Sequence, residues 1–461
     1  MSPAPEDVRS RRFSILGAAR SGLAVAALLH RRGARVFVSD SAAAETKEEA
    51  REELDRLGVV YEFGGNSDRV LEAETIVVSP GVPSDAPLLV KARSHGISVL
   101  SELEVASWFW DGPIVGITGT NGKTTTTALT GRMFEDARVP CVVAGNIGTA
   151  FSQVVGSIPP GGVAIVEVSS FQLDHVDAFR PRVAMLLNIT PDHLDRYEHS
   201  FEKYIAAKRR IFERQREGDA LVYNSDDEVT NAQLRFVPRG VLQLPFSVRE
   251  VLAEGAFMER GMLITKIRGT RSEIIAPVEI SIRGLHNLAN AMAATLAARY
   301  LGVPAASIRA TLKNFKGVEH RLEFVRELDG VWFVNDSKAT NVDSVWYALQ
   351  SFTRPIIVLM GGRDKGNDYT RLNDLVRNHV RCVIAIGESS AKVVTAFRDL
   401  VPVLKAESME EAVRLGAERG VPGDVVLLSP ACASFDWFQN YEHRGRVFKE
   451  AVMKLKAQHP S

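Results

Sequence analysis

Short apolar runs alternate along this chain with stretches of helical period, which is the pattern of parallel sheets covered by helices. Phe13-Ser14-Ile15-Leu16-Gly17 reads as a first strand, and Val25, Leu28 and Leu29 share one face of a helix opened by Gly22. Arg35-Val36-Phe37-Val38-Ser39-Asp40 reads as a second strand ending in an acid, and Thr75-Ile76-Val77-Val78 as a later one that runs into the stiff turn Ser79-Pro80-Gly81-Val82-Pro83. Open α/β sheets bind ligands at the carboxyl ends of their strands. Asp40, Ser79 and Gly81 are therefore candidate substrate contacts, with an ordinary turn as the alternative. Gly17-Ala18-Ala19-Arg20-Ser21-Gly22 keeps only the outer glycines of G-x-G-x-x-G, so it does not announce a dinucleotide and leaves another nucleotide open.

The middle of the chain carries the clearest chemistry. Ile114-Val115 leads into Gly116-Ile117-Thr118-Gly119-Thr120-Asn121-Gly122-Lys123-Thr124, and residues 125–134 have helical potential with Leu129 and Met133 on one face. Strand, glycine-rich loop and helix in that order make a phosphate-binding loop. The backbone of Gly119, Thr120, Asn121 and Gly122 would wrap an anion, Lys123 would reach the β/γ-phosphates, and the hydroxyl of Thr124 or Thr125 would help hold Mg²⁺. The leading glycine, Gly116, stands one residue early for the strict motif, with Ile117 in its place. Residues Thr124 to Thr127 are costly at a helix start, which points to hydroxyls being wanted there.

Further apolar strands surround this loop in sequence. One runs from Pro140 through Ala144 to Asn146, and Val163-Ala164-Ile165-Val166-Glu167 ends on a carboxylate suited to Mg²⁺ or to orienting water, or else to capping the next helix. Arg182 to Thr190 is another strand, and Asp192, His193 and Asp195 crowd its end. The helix after it carries Tyr204, Ala207, Lys208 and Ile211, where a lysine is ordinarily solvated. Residues 241–284 change to short alternating stretches, Met262 to Lys266 and Val278 to Ile282, which predict a small antiparallel sheet. Gly284 then opens a helix with Leu288, Met292 and Leu296 on one face; Asn287 and Asn290 in its first turn would cap it or bond a nucleotide base.

From about Lys316 a second doubly wound sheet is predicted. Its strands are Phe333-Val334-Asn335, Pro355 to Gly362, Cys382 to Gly387 and Asp424 to Pro430, and they hand over to polar turns at Asp336 to Asn341, Arg363 to Gly366, Glu388 to Ser390 and Ala431 to Asp436. The whole is an α/β chain. At 461 residues, with a prior of ~150 per domain, it divides into three domains, 1–109, 110–315 and 316–461.

Composition narrows the partners. Lys plus Arg equals Asp plus Glu at 56 each, so no net field recommends nucleic acid or an anionic membrane. Cys141, Cys382 and Cys432 are far apart without metal-ligand spacing, which suits reduced thiols in a cytoplasmic protein. The first residues lack an apolar signal core, and no run approaches the ~20 apolar residues of a membrane span.

Several segments together carry a resemblance: GITGTNGKTT from Gly116, VEVSSFQLD from Val166, NITPDHLDRY from Asn188 with YIAAKRRI from Tyr204, HNLANAMAA from His286, and EHRLEF from Glu319 followed by NDSKATN from Asn335. They resemble the Mur ligase family of ATP-dependent amide-bond-forming enzymes over nearly the whole chain. NDSKATN, GGRDKG from Gly361 and LSPACAS from Leu428 are similar to the branch that adds D-glutamate. The resemblance implies an N-terminal Rossmann-like domain for the UDP end of the substrate. It also implies a central P-loop ATPase-like domain with a mostly parallel sheet, and a C-terminal Rossmann-like domain for the incoming amino acid.

It further implies a cytoplasmic monomer acting on UDP-N-acetylmuramoyl-L-alanine and D-glutamate with ATP and two Mg²⁺. One Mg²⁺ would lie at Thr124, Thr125 and Glu167; His193 and a carbamylated Lys208 would serve the other. Asn290, Arg321 and Asp336 would contact the nucleotide. Lys338, Thr340, Lys365, Ser434, Phe435 and Tyr441 would recognise the amino acid, and Asn146 and Ser169 would face the uridine-linked substrate. In this chain Ser41-Ala42 follow Asp40 where relatives often carry a basic residue near the uracil, and Tyr441 stands where Phe is common. The alternatives are a ligase of the same family for another amino acid, told apart by its C-terminal loops, and a nucleotide-dependent regulatory module without ligase activity.

Overall fold

The computed structural model describes residues 8–146, 148–364 and 366–456. Three α/β domains are built on three sheets. The first holds β1 (Arg12–Leu16), β2 (Arg35–Asp40), β3 (Val60–Phe63), β4 (Thr75–Val78) and β5 (Ser98–Ser101) in the order β3-β2-β1-β4-β5, all parallel. Its order reverses at β1 and β4, so the turns after these strands open at the ligand-binding crevice. The outer glycines of the first turn have a packing reason. A Cβ on Gly22 would lie 1.8 Å from the Gly17 carbonyl oxygen, which itself accepts from Ser79 Oγ at 3.0 Å.

The second sheet comprises β6 (Ile114–Thr118), β7 (Cys141–Gly145), β8 (Val163–Glu167), β9 (Val183–Leu186), β10 (Ala220–Asn224), β11 (Leu242–Phe246), β12 (Gly255–Glu259), β13 (Met262–Ile267) and β14 (Thr270–Ile275). The order is β14-β13-β12-β11-β10-β9-β6-β8-β7. The antiparallel strands β12 to β14 are joined to β11 through a parallel pair, so they extend the central sheet itself. The strand predicted over Val278 to Ile282 is absent. Pro277–Glu279 forms one 3₁₀ turn and Val278 is 74% exposed, because Pro277 withholds the N–H a ladder needs and fixes φ for a turn.

The third sheet, β15 (Glu323–Leu328), β16 (Val331–Asn335), β17 (Ile356–Gly361), β18 (Val380–Ile386), β19 (Val403–Lys405) and β20 (Val425–Leu428), runs β15-β16-β20-β17-β18-β19. Only its edge strand β15 is antiparallel. Among the described residues no helix is long and apolar enough to cross a membrane, and all three cysteines are free thiols.

By packing, the chain falls into two units, residues 1–280 with 289–314, and residues 281–288 with 315–461. The first unit contains both N-terminal sheets, and buried carboxylates join them. Ser101 caps the short helix Glu102–Ser107. From this helix Glu104 Oε2 accepts the backbone N–H groups of Asp177, Ala178 and Phe179 at 2.9, 3.1 and 2.8 Å, while Oε1 accepts Trp108 Nε1–H at 2.9 Å. Glu102 accepts Ser152 N–H at 2.6 Å, and burial pushes its carboxyl above the usual range despite that bond. Leu28, Leu103 and Ala106 share an apolar core with Ala144, Phe151 and Phe179 across the same junction. Glu104→Ala leaves the buried donors of Phe179 and Trp108 and the part-buried ones of Asp177 and Ala178 unpaired at once, and is expected to destabilise this unit by about 3 kcal/mol or more. Urea unfolding checks this, and a change under ~1 kcal/mol would contradict the assigned role.

Candidate active site

The phosphate-binding loop leaves β6 at the point where the sheet order reverses, between β8 and β9. Gly122 begins the helix Lys123–Asp136 with φ +85°, and a Cβ there would lie 2.4 Å from Asn290 Oδ1. Only glycine serves at that position. Asn188, just past β9, clamps the loop: its Oδ1 accepts Asn121 N–H at 2.8 Å, its Nδ2 donates to the Asn121 carbonyl at 3.1 Å, and its carbonyl accepts Thr120 N–H at 2.9 Å. Thr120 Oγ1 donates to the Thr190 carbonyl at 3.0 Å and lies 3.1 Å from Tyr204 Oη. Nothing in the sequence singles out Asn188 beyond its place at a strand end. With the loop pinned this way, the first turn of the helix presents N–H groups and the positive end of its dipole to an anion.

Two lysines converge on one carbonyl. Lys123 Nζ donates to the carbonyls of Gly119 and Thr120, each at 2.8 Å, and Lys208 Nζ donates to Gly119 O at 2.8 Å. Lys208 is not solvated surface, since it is 2% exposed with its Nζ 4.6 Å over the Tyr204 ring. Burial, followed by repulsion from Lys123, drives its ammonium well below the ordinary lysine value, against the opposing charges of Asp192, Asp174 and Glu167. Burial and the charge of Lys123 outweigh those carboxylates, so the amine gives up its proton more readily than an ordinary lysine. Asp174 is pushed up to about 6 by burial, more than its bond from Tyr197 and the neighbouring cations lower it.

Glu167 ends β8 almost fully buried, and its Oε1 accepts from Asn146 Nδ2 at 3.4 Å. His193 adopts the left-handed conformation, φ +53°, with its N–H on Asp192 Oδ1 at 2.9 Å. Non-glycine residues in this region cluster at functional sites. The edge of its ring meets Phe171, with centroids 5.1 Å apart.

Hard oxygen donors from Glu167 and Thr124 fit Mg²⁺, whereas an ammonium at Lys208 does not. The threonine argument from helix propensity does not extend along the whole run. Thr126 and Thr127 are buried in the packed body of the helix with unpartnered hydroxyls, and Thr125 is buried beside the half-buried Thr124. Among the described residues one trio of metal-ligand side chains has its donor atoms within 4.8 Å of each other, Glu319, His320 and Glu323. Lys449 Nζ already bridges both of those carboxylates at 2.5 and 3.0 Å.

Several predicted substrate contacts have their groups committed within the protein. Asp40 accepts Ala18 N–H at 2.7 Å and Ala42 N–H at 2.8 Å and pairs with Lys47 Nζ at 2.8 Å. Burial raises its pKa, but Lys47 and these N–H groups outweigh burial and hold the carboxylate below its usual range. Lys47 is thus a cation beside Asp40, although it does not follow Asp40 directly in sequence. Ser169 Oγ caps the short helix Ser170–Leu173 in a reciprocal box with Gln172. Ser79 bonds the first turn of the N-terminal sheet, and the Gly81 carbonyl accepts from Arg196 at 3.4 Å. Asn146 N–H donates to the Glu167 carbonyl at 2.9 Å.

In the second unit Asp336 is 1% exposed, accepting from Ser429 Oγ at 3.0 Å and Leu322 N–H at 3.2 Å. Burial pushes it up to about 6 against the charge of Arg321. Arg321 Nε is buried without a partner, an orphaned donor suited to a phosphate or ribose oxygen. Lys338 Nζ lies 3.4 Å from Tyr441 Oη and 5.0 Å from the centre of its ring. Ser434 is buried, Phe435 exposed and Thr340 half-buried; Lys365 lies outside the described residues.

Sequence reasoning passed over Arg444, which organises these loops. Almost wholly buried, it donates to Ser337 Oγ and O at 3.0 and 2.8 Å and to the Cys432 and Ala433 carbonyls at 3.1 and 3.3 Å. It thereby fixes the neighbours of Lys338 and Ser434. Its signal was available, because Arg444 shares a helical face with Phe448, Ala451 and Val452, where a charge is out of place unless satisfied.

Comparison with known proteins agrees along the chain. Residues 11–101 match the Mur ligase MurD-like N-terminal domain, 117–298 the Mur ligase middle domain, and 320–432 the Mur ligase glutamate ligase domain. A UDP-N-acetylmuramoylalanine–D-glutamate ligase of Salinibacter ruber is 49% identical over 98% of this chain and 99% of its own. One of Chloroherpeton thalassium is 45% identical over the same shares. Among solved structures, a UDP-N-acetylmuramate-alanine ligase of Thermotoga maritima superposes with TM-score 0.61 at 20% identity, covering 97% of this chain and 100% of that one.

Proposed function

The chain belongs to the Mur ligase family, whose members use ATP and Mg²⁺, and on that premise we propose that it joins D-glutamate to UDP-N-acetylmuramoyl-L-alanine in the cytoplasmic stage of peptidoglycan synthesis. Full-length similarity to ligases of that name, at 49 and 45% identity, carries the choice of amino acid. The chemistry rests on one feature of the site: Lys123 and a buried Lys208 meeting at the Gly119 carbonyl beside a helix N-terminus.

We assign residues 1–109 to the UDP substrate, 110–315 to ATP and 316–461 to the amino acid, in a monomer. A carboxylate oxygen of the L-alanine unit attacks the γ-phosphorus of ATP; the new O–P bond forms as the β,γ-bridging bond breaks and ADP departs. Lys123 leaves its loop carbonyls to follow the transferring phosphoryl group, and the helix N–H groups stabilise its oxygens. The amine of D-glutamate then attacks the acyl carbon, gives up a proton, and phosphate is expelled with its bridging oxygen. Mg²⁺, when bound, neutralises charge on the phosphate oxygens.

Thr124, Thr125 and Glu167 would hold one ion; His193 and carbamylated Lys208 would hold the second. Carbamylation needs the neutral amine: the ammonium first gives up one proton, then Nζ bonds the carbon of CO₂ as a second proton leaves, so that a cationic side chain becomes a carboxylate. Asn290, Arg321 and Asp336 serve the nucleotide. Lys338, Thr340, Lys365, Ser434, Phe435 and Tyr441 serve D-glutamate. Asp40, Ser79, Gly81, Asn146 and Ser169 line the site of the uridine-linked substrate, through backbone groups where their side chains are already bonded.

A phosphate-release assay with a panel of amino acids tests this reading. We expect kcat/KM for D-glutamate to exceed that for L-glutamate, D-aspartate and D-glutamine by about 100-fold or more, because charge-assisted bonds left unmade in a closed pocket are expensive. Preference for L-lysine or meso-diaminopimelate would move the chain to another branch. Phosphate release independent of any amino acid would make it a nucleotide-dependent module.

A further inference from the structure

Arg196 lies at the end of the loop that carries His193, and its guanidinium is spent within the first unit. It donates to the carbonyls of Pro80, Gly81 and Val82 at 3.4, 3.4 and 2.9 Å. These carbonyls belong to the turn after β4, at the crevice of the N-terminal sheet. It also lies over the face of Phe171, with Cζ 4.6 Å from the ring centre. The Phe171 ring in turn meets His193 at 5.1 Å, the two planes at 70°, and stacks on Tyr197 at 6.1 Å.

The geometry fits arginine alone. A planar fork can reach successive carbonyls while its face lies on an aromatic ring; an ammonium can satisfy the carbonyls only from one point and offers no face. His193 occupies a left-handed conformation, which a loop keeps only when its surroundings hold it there. The Arg196 backbone N–H donates back to the His193 carbonyl at 3.0 Å, which closes the loop on itself.

We propose that Arg196 is a positioning residue that couples the seating of the uridine-linked substrate at the Ser79–Val82 turn to the orientation of the His193 imidazole. The proposal rests on the reading above, in which that turn belongs to the substrate site and His193 to a metal site. In this role Arg196 acts through protein groups, the turn carbonyls and the Phe171 ring. It transmits the position of the turn to the imidazole through three carbonyls and one aromatic ring.

Calorimetry with UDP-N-acetylmuramoyl-L-alanine in EDTA separates the two halves, with steady-state kinetics in Mg²⁺ alongside. Arg196→Lys and Arg196→Gln should weaken metal-free binding about tenfold, as expected for losing charge-assisted bonds to a preformed turn. Both should also raise the Mg²⁺ concentration for half-maximal rate, with KM for D-glutamate unchanged. Phe171→Leu should leave metal-free binding at the wild-type value and raise only the Mg²⁺ requirement. Wild-type binding and Mg²⁺ dependence in both Arg196 variants overturns the proposal, as does an equal loss in every parameter including KM for D-glutamate. Failure of the wild-type protein itself to bind the substrate would instead overturn the functional reading beneath it.

Discussion

Lys123→Ala and Glu167→Ala each lower kcat by about a thousandfold or more, with the unfolding transition close to that of the parent chain. Lys123 reaches back over its own loop to the carbonyls of Gly119 and Thr120. Its value lies in the transition state, where phosphoryl oxygens gather charge in a site from which water is excluded. Glu167 sits at the end of a buried parallel strand with one long bond from Asn146, so the fold asks little of its carboxylate. A near-normal kcat in either variant, with the unfolding midpoint unchanged, would show that the assigned role is wrong.

Lys208→Ala removes most activity, and acetate restores part of it by filling the vacated oxygen position. Lys208→Arg is inactive and beyond rescue, because a guanidinium keeps its charge and cannot take up CO₂ at this position. An ordinary lysine, with pKa ~10.4, is almost wholly protonated at neutral pH and a poor nucleophile for CO₂. Here burial, then the charge of Lys123, lowers that value strongly. The sign follows directly: the neutral amine persists to lower pH than in a free lysine, so carbamate and activity are present above the lowered pKa and lost as pH falls through it. The carbamate nitrogen keeps one hydrogen, so it remains a donor, as the amine is to Gly119 O at 2.8 Å. Activity should fall in CO₂-depleted buffer and return with bicarbonate. An unmodified lysine in the intact mass of a fully active, Mg²⁺-loaded enzyme would contradict the assignment.

Much of this site was legible because parallel strands write their ligand-binding ends into the sequence as an apolar run stopped by a polar residue. Glu167 closes β8 in just that way, while Lys123 and His193 come at the far ends of the loops that leave β6 and β9. Lys208 was half-legible. Its spacing from Tyr204, Ala207 and Ile211 puts it on the packed face of the helix Phe201–Arg209 and its last turn, although lysine as a residue type argues for solvent. Asn188, Glu104 and Arg196 were not legible in advance, since each acts on carbonyls or N–H groups far away in sequence and no local pattern names those partners; Arg444 was visible as a charge on an apolar helix face, but the carbonyls it bonds were not. The misread strand at Val278 to Ile282 has the opposite cause. Its alternation imitates a half-buried strand, while Pro277 dictates a turn. The antiparallel strands were visible as period-two stretches, but their union with the parallel sheet depends on the pairing of Phe246 with Ala256, which periodicity cannot report.

The account turns on activation of a carboxylate by phosphorylation at the Lys123 loop, and an oxygen-labelling experiment addresses that directly. UDP-N-acetylmuramoyl-L-alanine carrying ¹⁸O in its alanyl carboxylate is turned over with ATP and D-glutamate, and the released phosphate is analysed by mass. The account predicts one labelled oxygen in each phosphate formed from doubly labelled carboxylate, since the oxygen that attacks phosphorus leaves with it. Unlabelled phosphate formed alongside the amide product would contradict it.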